Sequence, residues 1–101
     1  MDTPTLLARL KALEPELRRS GVGALYLFGS RARGDHRPDS DVDLLFEVAE
    51  AADRHFGLLD QAGLADRLCS VLGAEVDFVE RRALRPRIRP HVEADKVQVF
   101  G

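Results

Sequence analysis

The chain has 101 residues, 45% of them hydrophobic and 32% charged, with a net charge of −2. That is enough for one domain, residues 1–101, built on one core, and it excludes a disordered chain. The faintly acidic balance excludes a protein whose main work is stable, non-specific nucleic-acid binding. No stretch approaches the ~20 apolar residues of a membrane span. The opening residues interleave leucine with charge and do not read as a signal peptide, and the lone cysteine, Cys69, points to a reducing cytoplasm.

Thr3-Pro4 reads as a helix start, with Thr3 as the N-cap. Leu6, Leu7, Leu10, Leu13 and Leu17 keep helical spacing and form one apolar stripe. Pro15 interrupts it, so the helix kinks there or restarts as a short segment ending near Ser20-Gly21. Residues 24–28 form a first strand that stops at Gly29-Ser30, and a second strand runs from about Val42 to Val48. Residues 50–73 read as a helix of unmarked start, with Leu58, Ala62, Ala65, Leu68, Cys69 and Leu72 on one face. Glu75 to Glu80 make a third strand with Val76 and Phe78 toward the core and Asp77 on the other side. A short helix at 90–94 leads to a last strand, Val97 to Phe100. The expected architecture is α/β: a mixed sheet of about four strands with helices covering one face and acids on the other.

The stretch that carries chemistry is LYLFGSRARGDHRPDSDVDLLFE, residues 25–47. Strand alternation sends Asp41 and Asp43 to one side, roughly 7 Å apart, and Val42, Leu44 and Phe46 to the other. Adjacent carboxylates repel, and a fold keeps them most readily where a hard divalent ion, Mg2+ above all, binds with a phosphate substrate. Gly29 lets backbone approach a ligand without a Cβ in the way. Ser30 opens a helical turn whose free N–H groups suit an anion, and Arg31 and Arg33 add positive charge beside it. A solvated hairpin loop would explain the Gly, Pro, Ser and Asp of this stretch. It would not explain two acids at alternate positions heading a buried strand.

Gly29-Ser30, ten residues, then Asp41-x-Asp43 resembles the signature of the DNA polymerase beta-like nucleotidyltransferase superfamily. The fuller string GSRARGDHRPDSDVDLL is similar to its minimal nucleotidyltransferase (MNT) branch, which includes antitoxin partners of HEPN-domain toxins. The resemblance covers residues 22–47 well and Asp77 fairly. It implies a third carboxylate on the strand beside the DxD strand, which selects Asp77. It further implies two Mg2+ ions held by Asp41, Asp43 and Asp77, and phosphates held at Gly29, Ser30, Arg31 and Arg33. The reaction implied is transfer of a nucleoside monophosphate, AMP from ATP, to a protein hydroxyl, a tyrosine of a HEPN ribonuclease toxin. The alternative is an antitoxin or sensor subunit that acts on its partner by binding, without transfer. The basic segment RRALRPRIRPH, residues 81–91, is open to two readings, a solvated face or a surface for an acidic partner or nucleotide.

Overall fold

The computed structural model describes all 101 residues. Two helices, α1 (Thr3–Ala12) and α2 (Glu14–Arg19), precede strand β1 (Val22–Phe28). A one-turn helix, α3 (Ser30–Arg33), leads by a loop into β2 (Val42–Val48). Helix α4 (Leu58–Leu72), strand β3 (Val76–Glu80), helix α5 (Arg89–Asp95) and strand β4 (Val97–Phe100) follow. The sheet order is β3-β2-β1-β4; β1 lies antiparallel to β2 and β4, and β2 parallel to β3 through the α4 crossover.

The helix breaks at Leu13, two residues before Pro15, and the chain restarts as α2 with Pro15 in its first turn rather than kinking. The first N-cap is Asp2, not Thr3: its carboxylate accepts from the Thr5 amide at 2.8 Å, and Thr3 is the first helical residue. Thr3 is spent elsewhere, its hydroxyl donating to the Arg31 carbonyl at 2.6 Å. That bond pins the start of α1 to α3.

Leu6, Leu10 and Leu17 from the first two helices pack on one face of the sheet with Leu64, Leu68 and Leu72 of α4. The strands present Leu25, Leu27, Val42, Leu44, Phe46 and Phe78 to them. On α4 the buried stripe is Leu64-Leu68-Leu72, while Leu58 and Ala62, expected on that face, are exposed. The helix is preceded by a turn at Glu50–Ala52 and starts only at Leu58, so its first turn overhangs the core. Phe46 is fully buried and stacks on Phe78 with centroids 4.1 Å apart. This contact ties β2 to β3, and removing it as Phe46→Ala would cost about 3–5 kcal/mol.

The acid-bearing face is not bare. Ala24, Tyr26 and Leu45 on that side pack against Leu84 and Val92, contributed by the segment that includes α5. Arg81 and Lys96 lie over the Tyr26 ring, 5.6 and 4.6 Å from its centroid. The cover leaves Asp43 half-buried, with Asp41 and Asp77 exposed.

Candidate active site

The strand register assembles the carboxylates. In the parallel pair β2–β3, Asp43 stands opposite Asp77; in the antiparallel pair β1–β2, it stands opposite Phe28. Asp43 is therefore bracketed by Asp77 on one flank and by the end of β1 on the other. Asp41 lies just ahead of β2, on the same side by strand alternation. Phe28 is followed at once by Gly29, with φ 76° and ψ −158°, a backbone region nearly closed to residues with a Cβ. A Cβ on Gly29 would come within 2.3 Å of the Asp43 Oδ2. Turn and carboxylate are thus built against each other.

The α3 turn closes with the amides of Ala32 and Arg33 donating to the Gly29 carbonyl, both at 3.1 Å. The Gly34 and Asp35 amides donate to the Ser30 carbonyl at 2.9 and 3.1 Å. Gly34, at φ 84°, ends the helix in the left-handed conformation. The first amides of such a turn have no partner within it and are available to an anion.

The two arginines of the turn part company. Arg33 is half-exposed and donates to Asp95 at 2.6 Å and to Asp35 at 3.1 Å. Its charge opposes the upward shift of the Asp43 carboxyl. Arg31, read from the sequence as a phosphate ligand, is buried, only 4% exposed, and turned inward rather than to the open side of the turn. Its guanidinium donates to the Ser40 carbonyl through two nitrogens, at 3.2 and 2.8 Å, and to the Met1 carbonyl at 3.4 Å. Arg31 braces the loop that returns the chain to Asp41. Residues two apart on a helical turn point to nearly opposite sides, but the sequence does not say which of those sides the chain packs against.

Burial pushes the Asp43 carboxyl up to about 6; the negative charges of Asp77 and then Asp41 add to the rise. Desolvation and like charge both favour its protonated form. A divalent cation reverses that balance, and the donor set, three carboxylates with no nitrogen or sulfur ligand, has the hardness that Mg2+ prefers. The side chains share one face and do not converge into a closed group of three ligands. Two residues that sequence reasoning missed support the site from afar. Asp95 holds Arg33 from 62 positions along the chain, and Gln61 of α4 donates to the Phe78 carbonyl at 2.9 Å, next to Asp77. Asp41, Asp43 and Asp77 line neither the concavity at the far ends of β2 and β3 nor the one beside Ser40 and Glu75.

Paired carboxylates on a mixed sheet, faced by a glycine-serine turn, are the equipment of a phosphate-handling enzyme. The chain belongs to the nucleotidyltransferase domain family, whose model matches residues 9–99. Within it the chain is of the minimal type. It is similar to the protein adenylyltransferase MntA of Thermococcus cleftensis, 37% identical over 91 residues that cover 89% of this chain and 88% of that protein. A solved structure provisionally described as a minimal nucleotidyltransferase is 41% identical, with a TM-score of 0.79 over 96% of this chain and 95% of that one. A toxin–antitoxin structure with AMP-PNP is 26% identical, with a TM-score of 0.74 over 92% of this chain and 73% of that chain. The MNT antitoxin complex with a tri-AMPylated Shewanella oneidensis HEPN toxin shares the fold, at 23% identity, a TM-score of 0.68 and coverage of 93% and 71%.

Proposed function

We propose that this chain, acting as one domain, transfers AMP from ATP to a hydroxyl of a partner protein, a tyrosine of a HEPN-family toxin, and thereby serves as its antitoxin. The observation that carries the reading is the placement of Asp43 between Asp77 in register and the Gly29 turn. That placement sets phosphate-binding backbone directly against paired acids. The names of the relatives, a protein adenylyltransferase and a toxin–antitoxin structure with a nucleotide analogue, point to the same acceptor class.

Asp41, Asp43 and Asp77 would hold two Mg2+ ions, which when bound neutralise phosphate charge and lower the pKa of the acceptor hydroxyl. Gly29 and Ser30 hold the β- and γ-phosphates through backbone amides and the serine hydroxyl. Arg33 offsets charge beside them. The acceptor oxygen attacks the α-phosphorus as the bond to pyrophosphate breaks, and the hydroxyl proton passes to Asp77, the exposed member of the in-register pair. Such transfer is largely positioning and electrostatics. AMP placed near a ribonuclease site adds negative charge that repels the RNA backbone, which would silence the toxin.

The test is incubation with ATP, Mg2+ and a candidate HEPN partner protein, read by mass spectrometry. The expected result is a gain of one or more AMP units on tyrosine, absent with Asp41→Ala. Equal silencing of the toxin by Asp41→Ala with no mass gain would replace transfer by occlusion.

A further inference from the structure

The basic segment 81–91 divides into two functionally different halves. Arg81 is spent on Glu47 at 2.8 Å and Glu93 at 3.0 Å, and Arg82 on Glu80 at 2.7 Å and Asp53 at 2.9 Å. These pairs fasten the segment to the end of the sheet. Arg85, Arg87 and Arg89 are exposed, and none of them forms an ion pair or a side-chain hydrogen bond. They surround Ile88, itself 47% exposed. Pro86 and Pro90 fix the backbone between them, and the Ile88 and Arg89 amides both donate to the Arg85 carbonyl, at 3.1 and 3.2 Å. Leu84 and Val92, on either side, are anchored against Tyr26 and Leu45. The result is a rigid knuckle with three unneutralised guanidiniums around an apolar spot.

Its position relates it to the site. The knuckle rides on the face of the sheet that bears Asp43 and Asp77. Helix α5 starts at Arg89 and ends at Asp95, which pairs with Arg33 beside the Gly29 turn. Seven residues at 1.5 Å each put the two ends about 10 Å apart. Arg89 also lines a cavity of about 730 Å³, whose wall includes Glu47, Glu80, Arg81 and Arg82.

The geometry points to this knuckle as the docking surface for the protein acceptor, with Arg85, Arg87 and Arg89 pairing to separate acidic side chains and Ile88 covered by an apolar one. The inference rests on the reading that the acceptor is a protein. Arginine on a preorganised backbone around an apolar centre is the composition of a protein interface. A nucleic-acid strand fits worse, because its continuous phosphates would run into Glu50, the carboxylate of the cavity wall without an ion pair, and into the three acids of the site. Acids spaced on a folded partner can meet the three cations and avoid those carboxylates.

The test uses the full chain with Arg85→Glu, Arg87→Glu and Arg89→Glu combined, and in parallel each change to Gln singly as a milder set. All three side chains are exposed, and an unchanged melting temperature in the presence of ATP and Mg2+ checks the fold and the nucleotide site. The expected result is a KM for the HEPN acceptor raised at least about tenfold, with kcat and the KM for ATP within about twofold of wild type. The wild-type acceptor KM should rise steeply with NaCl, and that of the triple variant should not. An acceptor KM equal to wild type overturns the proposal, whether or not the triple variant loses affinity for a single-stranded RNA oligonucleotide. Binding of the same acceptor by biolayer interferometry separates the two layers of the argument. Arginine-dependent binding without transfer by wild type keeps the docking surface and removes the transfer reading; transfer that the triple variant matches removes the docking surface alone.

Discussion

Gly29 and Asp43 occupy each other's margin: the point where a Gly29 side chain would begin lies 2.3 Å from the Asp43 Oδ2. The close approach couples the phosphate turn to the carboxylate, so one cannot be altered without moving the other. Gly29→Ala adds backbone strain of about 1–3 kcal/mol at φ 76° and displaces Asp43. The expected outcome is loss of AMP transfer by at least about 100-fold in a protein that still folds. Ser30→Ala should cost only one hydrogen bond, about 1–2 kcal/mol of phosphate binding. Mass-spectrometric transfer assays alongside urea melts check both, and full transfer by Gly29→Ala would detach this turn from the site.

The pH dependence of stability follows from Asp43. Its carboxyl is raised from 3.8 to about 6 in the folded protein, chiefly by burial and then by Asp77 and Asp41. The folded state therefore holds this proton more tightly than the unfolded chain does. The stabilisation is fully present below about pH 4 and is lost as pH rises through about 6. Asp43→Asn should then stabilise the metal-free protein near neutral pH by about 1–3 kcal/mol and flatten the slope over that window. Adding Mg2+ with ATP should reverse the order, raising the melting temperature of wild type and not of the variant. A destabilised Asp43→Asn protein without metal would contradict the strain described here.

Arg33 divides its guanidinium between Asp35 and Asp95 on the surface. Exposed pairs of this kind contribute about 0–1 kcal/mol, so Arg33→Ala should leave stability nearly unchanged. If its charge serves the phosphates, the KM for ATP should rise about tenfold. A clear loss of stability with an unchanged KM would leave Arg33 as a strap between α3 and α5 and nothing more.

Arg31→Ala should behave in the opposite way. Removing a buried guanidinium leaves the Ser40 and Met1 carbonyls short of donors and should cost about 2–4 kcal/mol in denaturant melts. Arg31→Lys should recover little, since an ammonium cannot reproduce the two-nitrogen grip on the Ser40 carbonyl. Unchanged stability in Arg31→Ala, combined with lost ATP binding, would return Arg31 to the phosphate site.

The sequence by itself determined the sides on which things fall. Strand alternation put Asp43 on the side away from Val42 and Leu44, and the helix restart around Pro15 and the strand stop at Gly29 were visible as local stereochemistry. These are properties of neighbouring residues, and neighbours in sequence are neighbours in space whatever the fold. The tertiary structure decided what each side meets. Only the packing of the loop at Ser40 and the start of the chain at Met1 turned Arg31 inward while Arg33, two residues on, stayed out. Only the return of Leu84 and Val92 onto Tyr26 and Leu45 half-covered the acid-bearing face, and only the register set Asp43 against Asp77 and the end of β1. On α4, helical spacing allowed a stripe through Leu58 and Ala62, but both stay exposed, and the core took Leu64, Leu68 and Leu72. Burial is a property of contacts between residues far apart in the chain, and no local pattern encodes it.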